Sequence, residues 1–160
     1  MRLARTLRFD QSDEQIFELA AQPDEWAISG AFEFSDWTPA MLTGKPRQAF
    51  ANGWLGLESF GRATFIATAK IEEAEYAALI DRLAVHFVEA YGAPDAAAAR
   101  PVAEDELNFM RELCEERDPN TILFVSREMV EDGVSESFQA IKPKEATLDM
   151  VAIHGELDDI

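Results

Sequence analysis

The residues from 122 to 141, ILFVSREMVEDGVSESFQAI, decide the fold class of this chain. The run Ile122–Val125 is apolar at every position, which predicts a strand that is buried on both faces. Asp132-Gly133 is typical of a tight hairpin turn, because glycine adopts positive φ angles without a steric penalty. Apolar residues return along the following segment until Pro143 interrupts it. The stretch therefore predicts an antiparallel hairpin.

Two helices are predicted directly upstream of this hairpin. From about Glu72 to Tyr91, apolar side chains recur at spacings of three and four, as they do on the buried face of a helix. Gly92 and Pro94 then predict the end of this helix. The next helix is expected to begin near Pro101, since proline fits the first helical turn. The run Ala96–Ala99 just before it predicts a short helical piece.

The N-terminal half of the chain predicts three more strands and a short helix. Residues 2–9, 26–34 and 62–71 alternate between apolar and polar side chains, which is typical of half-buried strands. Ser12 begins the residue spacing of a capping box, and the short helix that follows is expected to end before Pro23.

These elements predict one α+β domain that spans residues 1–160, with an acidic tail from about residue 145. A chain of this length buries enough surface to fold without disulfides or a structural metal. Some connections are too short for parallel crossovers. We therefore expect an antiparallel or mixed sheet of about five strands, with about three helices packed mainly on one face.

Charge is the strongest feature of the composition, with 31 acidic against 14 basic residues and a formal net charge of −17. Such a surface repels phosphate backbones and anionic lipids, so neither nucleic acid nor a membrane is an expected partner. A single cysteine and the lack of a bilayer-spanning apolar run favour a cytoplasmic location. The acidic surface is typical of solubility, and a partner with a basic surface is the alternative.

No catalytic or metal-binding constellation is recognisable, so the sequence predicts no catalytic residue, no metal and no cofactor. The histidines are His86 and His154, and the usual nucleophile and zinc patterns are missing. Cys114 lies on an apolar helix stripe beside acidic residues, which predicts a buried and inert thiol. Thr43-Gly44-Lys45 lacks the upstream glycine of a phosphate loop, and Pro46 follows it directly.

The segment from Trp37 to Arg62 is the candidate functional segment. It is aperiodic and long for a connection inside a compact domain, and such loops are usually functional or carry minor helices. It combines aromatic residues with a local excess of basic residues, and both are typical of binding hot spots. The candidate binding residues are Trp37, Lys45, Arg47, Trp54, Glu58, Phe60 and Arg62. The alternative is that the aromatic side chains complete the core.

The amino-acid sequence resembles a family of small bacterial (alphaproteobacterial-like) proteins of unknown function. The resemblance is carried by EWAISGAF at residues 25–32 and by GWLGLESFG at residues 53–61. Phe87–Ala93 and Val130–Gly133 fit the same family, so the resemblance covers most of the chain. It implies a bacterial cytosolic protein and carries over no catalytic residue.

Three functions are compatible with these observations. The leading hypothesis is a non-catalytic accessory or binding module, expected as a homodimer, that uses the Trp37–Arg62 segment to hold a protein partner or a small anionic ligand. The second is a small carboxylate-dependent enzyme in which Glu58 acts as a general base beside Arg62. The third is a structural protein that dimerises through a strand edge or a helix face.

Overall fold

The computed structural model describes residues 1–141 and the pair Asp158–Asp159. The strands are β1 (Arg2–Leu7), β2 (Trp26–Ile28), β3 (Trp54–Gly56), β4 (Arg62–Ala63), β5 (Phe65–Lys70), β6 (Ile122–Val130), β7 (Gly133–Ile141) and β8 (Asp158–Asp159). The helices are α1 (Ser12–Ile16), α2 (Gly44–Asn52), α3 (Glu73–Tyr91) and α4 (Ala96–Glu115), with 3-10 helices at Ala31–Phe34 and Pro39–Met41. The α+β class is confirmed, and the described residues form eight strands and four α-helices where about five and three were expected.

All strands join one sheet in the order β4-β3-β2-β1-β5-β6-β7-β8, and every neighbouring pair is antiparallel. Trp54 of β3 nevertheless stacks on Phe138 of β7, with 5.7 Å between the ring centroids. Four strands separate β3 from β7, and neighbouring strands lie about 4.8 Å apart. The sheet is therefore curled. Its core continues into the helical layer, where Leu83 and Leu107 pack with Leu123.

The hairpin and the long helix predicted from the sequence are confirmed. β6 and β7 pair from Val130 opposite Gly133 to Ile122 opposite Ile141. Gly133 has a φ angle of 135°, which a residue with a side chain rarely adopts. α3 ends at a left-handed Gly92, as expected for a helix C-terminus.

The strand predicted over residues 26–34 is wrong beyond Ile28. Gly30 has a φ angle of 72°, and the chain then enters the 3-10 helix Ala31–Phe34. The carbonyl groups of Ser29 and Gly30 accept hydrogen bonds from the Arg62 side chain, at 3.2 and 3.0 Å. A distant arginine thus replaces the neighbouring strand as hydrogen-bond partner, which local alternation does not reveal.

The helix after β1 is shorter than predicted. The predicted capping box at Ser12 does not form, because the Asp10 carboxylate accepts from the Ser12 N–H at 2.8 Å. The helix ends at Ile16. Beyond it the chain pairs with β4, where the backbone N–H of Arg62 donates to the Leu19 carbonyl at 2.8 Å. Pairing to a strand far along the sequence overrides the local helical pattern.

α4 begins earlier than the predicted start at Pro101. The Asp95 carboxylate accepts from the Ala98 N–H at 2.8 Å, which caps the helix before Ala96. The Ala96–Ala99 piece is thus the first turn of α4, and Pro101 lies inside the helix.

The candidate segment is also not a loop, because it contains α2 and β3. Pro46 lies in the first turn of α2, where a backbone N–H would have no acceptor within the helix. The predicted acidic tail lies outside the described residues, except that Asp158–Asp159 pairs with Gln139 and Ala140 of β7. No helix in the described part of the chain is long and apolar enough to cross a bilayer.

Candidate functional site

Some of the sequence-predicted residues meet at a small cleft beside α2, which we call the α2 cleft. Its volume is about 210 Å³. Its apolar lining is Phe17, Leu19, Trp37, Pro46, Ala49 and Phe60, and its charged lining is Glu18, Glu33, Lys45 and Arg62. Four of the seven candidates, namely Trp37, Lys45, Phe60 and Arg62, therefore line one cavity.

The charged floor of the α2 cleft is Arg62, which is only 4% exposed. Its guanidinium donates to the carbonyl groups of Ser29, Gly53 and Gly30 and to the Glu33 carboxylate, at 3.0 to 3.2 Å. Burial lowers the pKa of Arg62, and the charge of Glu33 opposes this shift. Most of the hydrogen-bonding capacity of Arg62 is thus used inside the protein, while its charge still acts on the cleft.

A second buried arginine, Arg127 of β6, was missed in the sequence. Its side chain is fully buried, with Nε 2.8 Å from the Glu136 carboxylate. Nη1 donates to the carbonyl groups of Phe50 and Gly53, and Nη2 donates to the carbonyl group of Ser29. Two of these acceptors lie at the C-terminal end of α2, where helix carbonyl groups lack partners. Arg127 therefore anchors α2 to the sheet.

The signal that would have identified Arg127 is its position in the strand. Side chains alternate between the two faces of a strand, so Arg127 shares a face with Leu123 and Val125. Both of these residues are fully buried. The shared face with Leu123 and Val125 is the signal that was overlooked, and it does not name the acceptors.

Phe34 separates the charges of the two buried arginines from the apolar core. The guanidinium carbon of Arg62 lies 4.7 Å from the Phe34 ring centroid, and that of Arg127 lies 5.4 Å away. An aromatic face attracts a cation, which partly offsets the repulsion between the two arginines. Burial lowers the pKa of Arg127 to about 10, and the charge of Arg62 adds to this shift.

The turn that carries Phe60 is held by Glu25, which is 1% exposed. The Glu25 carboxylate accepts from the backbone N–H groups of Gln22, Glu58 and Ser59, at 2.6 to 2.9 Å. It also accepts from the Ser59 hydroxyl at 2.6 Å. Phe60 is left with a φ angle of 59°, a rare conformation that the surrounding contacts impose. The Phe60 wall of the α2 cleft is therefore preorganised.

The imidazole ring of His86 in α3 packs against the ring of Phe60. The two rings stack with 3.6 Å between their centroids and 2° between their planes. Burial lowers the pKa of the His86 imidazole, although Glu33 and Glu89 oppose this shift. His86 is half-buried.

The other three candidates lie outside the α2 cleft. Trp54 is fully buried in the core, and Arg47 is exposed on α2. Glu58 is exposed and lines a separate concavity together with Arg82. The structure thus places Glu58 and Arg62 in different cavities, and it does not bring together the pair on which the enzyme hypothesis depends.

The described residues also contain a buried cysteine and no metal-ligand cluster. Cys114 is fully buried, and burial raises its pKa to about 12, which agrees with an inert thiol. Within residues 1–141, no group of three or more His, Cys, Asp or Glu side chains is placed to hold a metal ion.

Glu106 of α4 is the carboxylate with the most perturbed environment. Burial raises its pKa from 4.5 to about 7, and the neighbouring Glu136 and Asp105 add to the shift. The folded protein therefore holds this proton more tightly than the unfolded chain does. The stability that Glu106 contributes is present at low pH and is lost as the pH rises from 4.5 to about 7.

We expect Glu106→Gln to be more stable than the wild type above pH 7, by about 1–2 kcal/mol after allowance for solvent screening of a partly exposed group. At pH 5 the gain should be much smaller, because the folded protein still holds the proton and the pH is only slightly above the unfolded value of 4.5. Urea unfolding at pH 5 and pH 8 measures both differences. Glu112→Gln, at an exposed position of the same helix, is the control. An equal gain for Glu106→Gln at both pH values would contradict the perturbed pKa.

Comparison with known proteins gives a family and no activity. A family model described as a family of unknown function (DUF6505) matches residues 1–159. No curated protein and no solved structure matches the chain. Because the family model covers almost the whole length, this chain belongs to the DUF6505 family of proteins of unknown function.

Proposed function

We propose that this protein is a non-catalytic binding module that holds a small ligand in the α2 cleft. The observation that carries the proposal is the joint placement of Trp37 and Phe60 with Lys45 around one cavity. Small-molecule sites are typically concave and mostly apolar, with a few polar groups that orient the ligand. The α2 cleft has this composition.

The contacts around the cleft support binding by a preformed site. Arg127 holds the end of α2, and Arg62 holds the backbone at Ser29 and Gly30. Glu25 holds the turn that presents Phe60. A site whose walls are fixed before binding loses less conformational entropy when the ligand enters.

The charged groups of the cleft favour binding over catalysis. Glu33 is engaged by both Arg62 at 3.0 Å and the Tyr91 hydroxyl at 3.3 Å, so its carboxylate has defined partners. The enzyme hypothesis needs Glu58 beside Arg62, and these residues line different cavities. Homodimer formation, a cytoplasmic location and a bacterial source stay predictions from the sequence.

The proposal is tested by filling the cleft. Ala49 lines the cavity on α2, so Ala49→Leu should occupy part of it without altering the backbone hydrogen bonds of the helix. The probe is 8-anilinonaphthalene-1-sulfonate, an aromatic anion that fluoresces in apolar surroundings. We expect saturable binding to the wild type and an affinity at least about tenfold lower for Ala49→Leu.

Gln48→Leu adds the same side chain to α2 outside the cleft lining and is the matched control. It should bind the probe as the wild type does. Circular dichroism and the thermal midpoint must be unchanged in both variants, since partly unfolded proteins also bind this dye. Equal binding by the wild type and Ala49→Leu would refute the proposed site.

A further inference from the structure

We propose that the ligand of the α2 cleft is a small monocarboxylate with a flat apolar body. Its carboxylate lies against Lys45 and the N-terminus of α2, and its body lies between Trp37 and Phe60. This inference rests on the proposed binding function, and it names the chemical class of the ligand.

Lys45 is the group that selects a negative charge. It is the second residue of α2, it is exposed, and it makes no hydrogen bond or ion pair with the part of the chain that the structure describes. A lysine on a protein of net charge −17 has many carboxylates to pair with, but none of those in residues 1–141 forms an ion pair with Lys45. Its ammonium group is therefore available to a ligand.

The N-terminus of α2 adds to this positive charge. The N-cap residue Thr43 makes no side-chain capping bond, and the first turn of α2 contains no acidic residue. The first N–H groups of a helix lack partners within the helix, and the helix dipole places partial positive charge there. A carboxylate near Lys45 would meet both the ammonium group and this end of the helix.

The other charged residues of the cleft do not remove the preference for a negatively charged ligand. Arg62 and Glu33 form an ion pair at 3.0 Å, so their opposite charges largely cancel at the floor of the cleft. Glu18 is the other lining carboxylate, and it is exposed, so water screens its charge. Lys45 is screened to a similar degree, but its charge adds to the partial positive charge of the helix N-terminus.

Size and lining define the rest of the ligand. The cavity volume of about 210 Å³ is below the roughly 300 Å³ at which pockets for drug-sized molecules begin. Trp37 and Phe60 provide aromatic surface, and Pro46 and Ala49 provide aliphatic surface. Aromatic walls favour a flat ring. A multiply charged phosphate is disfavoured, because the hydration free energy that it would lose exceeds the interaction energy that one lysine provides.

The test compares three probes of nearly equal shape, namely 2-naphthoate, 2-naphthamide and 2-naphthylmethylammonium, by isothermal titration calorimetry at low and at physiological salt. We expect wild-type protein to bind 2-naphthoate about tenfold more tightly than the neutral amide, and the ammonium probe most weakly. Lys45→Gln should lose most of this preference, and only the contribution of the helix N-terminus should remain. Arg47→Gln removes the same charge from α2 outside the cleft lining, and it should keep the tenfold preference.

The outcomes separate the ligand class from the binding function. Equal affinity of the wild type for acid and amide, with both lost in Ala49→Leu, would overturn the carboxylate assignment and leave the binding site intact. Binding of no probe to wild-type protein would overturn both. If Arg47→Gln weakened 2-naphthoate binding as much as Lys45→Gln, the overall field of the protein and not a site at Lys45 would be responsible.

Discussion

Arg127→Met should lower the free energy of unfolding by about 3–5 kcal/mol, which is a large share of the total stability of a domain of this size. The variant keeps a side chain of similar length and removes the guanidinium. The Glu136 carboxylate then loses its cation, and the carbonyl groups of Ser29, Phe50 and Gly53 lose a buried donor. Arg62 still donates to Ser29 and Gly53, so the loss comes mainly from the Glu136 carboxylate without its cation and from the Phe50 carbonyl group without its donor.

Urea unfolding followed by circular dichroism measures this effect, provided that the variant is still folded in water. Arg127→Lys keeps the charge but not the planar set of donors. Its free energy of unfolding should therefore lie between those of Arg127→Met and the wild type. Arg47→Met removes an exposed arginine from α2 and should change the free energy of unfolding by less than about 0.5 kcal/mol. An Arg127→Met protein with the wild-type midpoint would show that this network does not stabilise the fold.

Gly30→Ala should cost about 2–4 kcal/mol, the second large effect that we expect. Gly30 has a φ angle of 72°, in which a side chain is strained. A Cβ atom there would also lie 2.5 Å from the Leu55 Cβ and 2.9 Å from Arg62 Nη1. Leu55 Cβ is fixed to the backbone of β3, so neither neighbour moves away without disturbing the sheet or the floor of the cleft.

Gly92→Ala is a matched control for the backbone strain. Gly92 has nearly the same φ angle, 74°, but nothing lies within 4 Å of the position of its Cβ atom. It should cost only about 1 kcal/mol, so the difference between the two variants measures the close approach at Gly30. Equal losses in thermal or urea unfolding would mean that the contact with Arg62 and Leu55 is unimportant. A folded Gly30→Ala protein should also bind 8-anilinonaphthalene-1-sulfonate more weakly, because Arg62 is displaced.

The sequence by itself determined the elements whose contacts are local. α3 was predictable because its apolar stripe repeats at the helical period and ends at Gly92. The β6–β7 hairpin was predictable because Asp132-Gly133 supplies the turn between two apolar segments. The α+β class followed from these elements, and four of the seven candidate residues do line one cavity.

Where local and distant contacts compete, only the tertiary structure determined which secondary structure formed. Residues 29–34 alternate like a strand, but a 3-10 helix forms there because Arg62 takes the carbonyl groups that a neighbouring strand would otherwise bind. The sequence predicted that this arginine binds a ligand. In the structure it is buried, and its guanidinium binds backbone carbonyl groups at the floor of the cleft.

The tertiary structure also determined which of the seven candidate residues line the α2 cleft and which lie elsewhere. Trp54 enters the core because the sheet curls and brings β3 onto β7, which no local pattern encodes. Lys45 remains at the mouth of the cleft because the described fold places no carboxylate beside it. Periodicity reports which side of an element is apolar, whereas the partner of a polar group depends on which distant segments the fold brings within hydrogen-bonding distance.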